Sequence, residues 1–159
     1  MDLPNVIVDR SIEYGTILHS AMFKDIDYGK FFVIIGVRKD YVAGFFFINS
    51  NINHYLMNKQ EQLNMQFGIK KSDYSFLKHD SFISASSLQI IPSEILTSSI
   101  QNEVTTYIDK LHEEHLNELL EAARPSKLFS KKEKQDFSFS LQVLLQYVFF
   151  KSCIANTSK

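Results

Sequence analysis

Lys30-Phe-Phe-Val-Ile-Ile-Gly-Val-Arg-Lys-Asp-Tyr-Val-Ala-Gly-Phe-Phe-Phe-Ile-Asn49 is the stretch on which the fold turns. Phe31 to Ile35 is an unbroken apolar run, too short for a helix and rich in β-branched residues, as a buried strand requires. Gly36 to Gly44 carries the charged Lys39-Asp40 pair and suits a hairpin turn, after which Phe45 to Asn49 returns as the partner strand. Toward the N-terminus, Tyr14-Gly-Thr-Ile-Leu-His19 predicts an earlier strand, preceded by a short apolar piece at Val6 to Val8, with the polar segment Lys24 to Lys30 as the connection. Toward the C-terminus, Ser50 to Lys71 is rich in Asn and Gln and predicts a long connecting loop with a short strand at Met65 to Phe67. Ser72 to Phe76 is expected to re-enter the strand region, and Ser81 to Ile91 alternates as one strand or two short ones, stopped by Pro92. About five short strands within residues 1–96 suit a small β-barrel, closed or half-closed.

Beyond Pro92 the period changes. Ile100, Val104, Ile108, Leu111, His115 and Leu119 recur at steps of three or four, and Ser98 with Gln101 suits a capping box, so a helix is predicted from about Ser99 to Ala123. Arg124-Pro125 ends it, because a proline ring disfavours helical geometry at the preceding residue. Ser130-Lys-Lys-Glu133 is a second capping box opening a helix to about Cys153, with Phe137, Leu141, Leu144, Leu145 and Val148 as its apolar stripe. The expected fold class is therefore α+β: a barrel over 1–96, and a hairpin of two amphipathic helices over 97–159 packed on it in the same domain.

Composition narrows the functional classes. A chain of 159 residues with 45% hydrophobic content buries enough surface to fold without a metal or disulfide staple, and the single cysteine, Cys153, excludes an internal bridge. Lysine and arginine number 17 against 18 acids, and the balance holds on either side of Leu96, so RNA binding would have to come from a local cluster and not from the overall field. The 14 Phe and 7 Tyr read as core first and as base-stacking platforms second. No stretch approaches the roughly 18 uncharged apolar residues of a membrane span, and MDLPNVIVDR lacks the basic start and apolar run of a secretory signal. A cytoplasmic protein without membrane association is the expectation.

Motif chemistry is sparse. No Gly-rich loop precedes a helix, GxSxG is absent, and nothing near Cys153 lowers its pKa. In Leu111-His-Glu-Glu-His115 the histidines stand three apart, not the four of the zinc-protease pattern; His112 is expected to face solvent and His115 to border the apolar stripe, with an oligomeric metal site as a weaker alternative. His19, His54 and His79 stand isolated, and neither a metal nor a cofactor is expected. What remains is a set of strand ends. Lys30, Arg38 and Lys39 flank the first strand of the hairpin, Asn49, Ser50 and Asn51 follow the second, and Lys78, His79 and Asp80 lead into the strand at Ser81. Such a set suits a phosphodiester: cations stabilise the charge of a pentavalent transition state, a hydroxyl or amide orients the phosphate, and Asp80 or His79 moves protons. Lys30, Arg38, Ser50 and Asp80 are the candidate catalytic residues, and Lys39, Asn49, Asn51, Lys78 and His79 the candidate RNA-binding ones.

YGTILHSAMF from Tyr14, GKFFVIIGVRKDYVAGFFFINS from Gly29, and HDSFISASSLQIIP from His79 resemble, in order and spacing, the opening, middle and last barrel strands of the PemK/MazF/Kid-like toxin family. The resemblance spans about Tyr14 to Pro92. It implies an SH3-like barrel with a C-terminal helix, and a metal-independent endoribonuclease that uses the RNA 2′-hydroxyl as nucleophile, leaving a cyclic phosphate and a 5′-hydroxyl. Ser50 matches the hydroxyl after the third strand, and Lys30 the basic residue before the second. Phe31 and Phe32 stand where the family usually has Arg-Pro, Ser86-Ser87 where it commonly has Asp-Gln, and Arg38 has no secure counterpart. The expected partners are single-stranded RNA, a protein antitoxin and a second copy in a homodimer. The alternative expectation is a catalytically inactive interaction module of a toxin–antitoxin or phage-defence system.

Overall fold

The computed structural model describes residues 13–24, 26–38 and 42–137. Their strands are β1 (Thr16–Ser20), β2 (Lys30–Val37), β3 (Val42–Asn49), β4 (Gln66–Ile69), β5 (Ser81–Pro92) and β6 (Thr105–Lys110). All neighbours are antiparallel, in the order β4-β5-β3-β2-β1-β6. The helices are α1 (Gln60–Leu63), α2 (Ser93–Gln101), α3 (Glu113–Ala123) and α4 (Lys131–Asp136), so the chain is α+β. The sheet is open: among the described residues its edges, β4 and β6, do not pair with each other.

The central hairpin forms as its composition demands. Phe31 pairs with Ile48, Phe32 with Phe47 and Val33 with Phe46. Its unbroken apolar runs follow from burial on both faces, since neighbouring side chains on a strand point to opposite sides. On the first face, Val33, Ile35, Phe46 and Ile48 pack with Leu116, Leu119, Leu120 and Ala123 of α3 and with Phe129 and Phe137. On the second, Phe32, Ile34 and Phe45 pack with Leu96 and Ile100 of α2, and Phe23 adds T-shaped ring contacts to Phe32 and Phe47.

β5 is long because it serves two neighbours. Ser81 to Ser84 pair with β4, and the whole strand runs along β3. Phe47 opposes Ser84 while Phe45 opposes Gln89, so Ala85 to Leu88 face a single β3 position and the strand bends there. Ser72 to Phe76, expected as strand, is a run of turns, and the short strand expected at Met65 to Phe67 forms as β4, one residue later.

The helix expected over Ser99 to Ala123 is three elements instead. α2 starts after Pro92 and closes at Asn102 in a Schellman motif, in which Glu103 N–H donates to Ile100 O and Val104 N–H to Ser99 O. Glu103 takes the left-handed conformation this requires, φ 59°. The β-branched pair Thr105-Thr106 with Tyr107 and Ile108 then forms β6, which pairs with β1. The three-to-four spacing of Val104, Ile108 and Leu111 was thus no helical signal. β6 thereby forms the sheet edge beyond β1. At α4 the Ser130/Glu133 capping box is present in full. The remainder of the expected second helix, and the strand expected at Val6 to Val8, lie outside the described residues.

Candidate functional site: a histidine- and lysine-lined cleft

Three antiparallel pairings bring four strand ends together. Ser20 opposes Lys30 and His19 opposes Phe31, Phe31 opposes Ile48, and Asn49 opposes Phe82. The ends of β1 and β3 therefore lie beside the starts of β2 and β5. A cleft of about 400 Å³ opens there, lined by His19, Lys30, Asn49, Ser50, Lys78 and His79, with Tyr28, Phe31 and Phe76 as its aromatic surface.

His19 is held from two sides. Its ring packs on Phe31 with centroids 4.6 Å apart, and its Nε2 lies 3.2 Å from the Tyr28 carbonyl oxygen. Gly29 permits this approach: its φ is +71°, and a Cβ there would stand 2.6 Å from His19 Cε1. Lys30 borders the cleft through its place at the start of β2, but its half-buried ammonium lies 5.6 Å from the Phe47 ring centroid, on the face opposite Phe31 and Phe76. Burial lowers its pKa below 10.5, because a poorly solvated ammonium is disfavoured relative to the neutral amine. Lys78, His79 and Ser50 are exposed.

Of the nine residues singled out in the sequence, Lys30, Ser50, Asn49, Lys78 and His79 share this cleft. Asp80 is adjacent in sequence but its Oδ1 accepts from Lys71 N–H at 2.8 Å, bracing the turn that carries Lys78 and His79. Asn51 is exposed just beyond Ser50 and is not part of the lining. Arg38 belongs elsewhere: it follows the other end of β2, about 26 Å along the strand from Lys30 at roughly 3.3 Å per residue, and its guanidinium pairs with Asp136 at 3.7 Å. Lys39 lies outside the described residues. The polar segment after Ser50 contributes nothing to the lining between 51 and 70; it folds into a 3₁₀ turn (His54–Leu56), α1 and β4.

The sequence reading missed His19. The signal was present, because pairing the Tyr14–His19 strand with the one beginning at Lys30 sets His19 opposite Phe31 at that strand's start. His112 is exposed and His115 half-buried at the edge of the apolar face, as expected. No group of three metal-ligating side chains comes together among the described residues, and no helix among them is long and apolar enough to cross a membrane. No protein-family model matches the chain, and no curated protein matches it significantly in sequence.

Proposed function

We propose that the chain is a metal-independent endoribonuclease acting on single-stranded RNA in the cytoplasm, with the cleft as its active site. One observation carries the reading: two histidines, His19 and His79, with Lys78 and Ser50, line one cleft with aromatic walls. Those are the groups that transesterification of a phosphodiester needs. In the proposed reaction one imidazole, His19 or His79, removes the proton of the 2′-hydroxyl as its oxygen attacks phosphorus. The P–O5′ bond breaks, the other imidazole protonates the departing oxygen, and the products are a 2′,3′-cyclic phosphate and a 5′-hydroxyl. Lys78 offsets the charge of the pentavalent phosphorane and Ser50 orients its oxygens, while Lys30 adds positive charge from the other face of the sheet edge. Phe31, Phe76 and Tyr28 offer faces on which bases stack. Arg38, Asp80 and Asn51 have no direct part.

The finer reading of the fold as an SH3-like barrel of the PemK/MazF/Kid-like kind belongs to this proposal. It is supported by the bent β5 shared between β3 and β4, and by the cleft falling on the residues that carry the resemblance. A protein antitoxin and a homodimeric state are proposed with it.

The test is incubation of the purified chain with mixed-sequence RNA in EDTA, beside His19→Ala, His79→Ala and Lys30→Ala variants. Cleavage by the unaltered protein, leaving 5′-hydroxyl ends and falling about a hundredfold or more in each histidine variant, is expected. RNA left intact by the unaltered protein defeats the proposal.

A second reading, an inactive interaction module, draws on one surface: Ile95 and Val104, 52% and 41% exposed, share a shallow depression between α2 and the start of β6. Ile95→Asp disrupting a dimer or a captured antitoxin complex in sedimentation, with RNA untouched by the unaltered chain, is its expected signature.

A further inference from the structure

Tyr74 is only 1% exposed, yet its hydroxyl makes two hydrogen bonds to the start of α3. It accepts from the His112 backbone N–H at 3.0 Å and lies 2.6 Å from His115 Nδ1. The buried phenol proton finds an acceptor in the His115 tautomer that carries its hydrogen on Nε2, in which Nδ1 accepts from the hydroxyl. The His112 and His115 rings are stacked, 14° from parallel with centroids 5.6 Å apart.

From this pair a chain of ring contacts runs into the cleft. Tyr74 packs on His112 at 4.5 Å and on Phe76 at 5.8 Å. Phe76 packs on Phe31 at 5.1 Å, and Phe31 on His19 at 4.6 Å. Phe76, Leu77, Lys78 and His79, the cleft wall, directly follow the anchored tyrosine.

We infer that Tyr74 is a positioning residue of the cleft: its hydroxyl, latched to His112 and His115, holds the 76–79 wall in place, and protonation of His115 releases the latch. The inference takes its functional meaning from the ribonuclease reading. When Nδ1 gains a proton it becomes a donor, and the buried phenol proton is left without its acceptor. Two stacked imidazolium rings would in addition repel each other. The charged and titratable groups around the latch are Asp73 on the wall segment, Asp109 at the end of β6, and Glu113, Glu114 and Glu118 on α3, with His112 itself. Release is an acid-side event that loosens the wall, while the Tyr74 ring keeps its place in the core with Val33, Ile35 and Phe46.

The test uses the full chain with Tyr74→Phe, which keeps the ring and removes the hydroxyl, and His115→Gln, which removes the titrating group. The His19 ring C–H resonance is followed by NMR from about pH 5 to about pH 8, and binding of a fluorescein-labelled oligodeoxynucleotide, which lacks the 2′-hydroxyl, is measured at neutral pH. Expected are two inflections for His19 in the unaltered protein, its own and one tracking His115, the second lost in both variants. A weakening of oligonucleotide binding by about fivefold in Tyr74→Phe is also expected. A single His19 inflection in the unaltered protein, or a Tyr74→Phe variant that only melts earlier with His19 unchanged, overturns the inference. Failure of the unaltered chain to bind the oligonucleotide counts against the ribonuclease reading, while the His19 titration still decides the latch.

Discussion

Tyr14 and Tyr74 show how the same side chain takes opposite roles by what its hydroxyl meets. Tyr74 has two partners, whereas the Tyr14 hydroxyl is buried with no hydrogen-bond partner among the described residues. Burial pushes the Tyr14 phenol well above its ordinary 10.0, with the Arg124 charge partly opposing. Burial also raises Tyr74, aided by Asp73 and Asp109 and opposed by the His112 N–H. Both folded phenols keep their protons where the unfolded ones lose them, so this contribution to stability is complete below about pH 10 and falls away as the pH rises further. Lys30 acts in the opposite sense, since its lowered pKa disfavours the folded state until its ammonium is discharged. With two phenols against one amine, the urea midpoint is expected to fall above about pH 10. Tyr14→Phe is expected to flatten that fall, and at neutral pH to leave stability unchanged or raise it by up to about 1 kcal/mol, because it removes an unsatisfied hydroxyl. A loss of more than that in urea titration would mean the hydroxyl has a partner. Neither role was legible in the sequence, because Tyr14 and Tyr74 both sit among ordinary strand and turn residues, and only packing decides which hydroxyl finds an acceptor.

Among the elements, the segment from α2 to α3 is where local pattern and tertiary context part. Leu96, Ile100 and Leu111 satisfy a helical spacing and are all buried, but Leu96 and Ile100 pack on the second face of the sheet and Leu111 on the first. The break is local chemistry: Glu103 at φ 59° ends α2, and the Thr-rich stretch after it pairs with β1. Buried hydroxyls secure the join, with Thr105 Oγ1 donating to Ser20 Oγ at 2.6 Å and lying 2.8 Å from Ser99 Oγ. Glutamate pays a steric penalty in the left-handed region that glycine avoids. Glu103→Gly is therefore expected to stabilise the fold by about 1 kcal/mol, read as a higher melting temperature. An unchanged or lower one would show that the Glu103 side chain makes a compensating contact. The hairpin of β2 and β3, the end of β5 at Pro92 and the cap at Ser130 were all readable, since each depends on neighbours in sequence. The division of residues 99–123 was not, because a partner strand some 85 residues away decides it.

On the scale of the whole molecule, Phe129 and Phe137 cover the first face of the sheet together with α3. The Phe137 ring lies against Gly44, where a Cβ would come within 2.5 Å of it, and Gly44 is paired with Gly36 across β2 and β3. The neighbouring Asp136 holds Arg38. Gly44→Ala is expected to push the Phe137 ring off the sheet and cost about 1–3 kcal/mol by overpacking, with larger exposure of the Arg38 end to hydrogen exchange. The cleft lies at the opposite end of β2, so its ligand affinity should change little. A Gly44→Ala protein as stable as the parent would refute the close packing of Phe137.

What the sequence by itself determined is the α+β class, the central hairpin and the residue types that line the cleft, because strand propensity, turn chemistry and capping act over a few residues. Five of the nine candidate site residues converge because they flank strand ends that antiparallel pairing must align. The tertiary structure alone decided that β6 joins the sheet, that Arg38 stands at the far end from Lys30, that His19 completes the cleft, and that Tyr74 ties its wall to α3. Each of these depends on register and packing between segments far apart in the chain, and hydrophobic side chains, which dominate this sequence, specify burial without specifying which partner buries them.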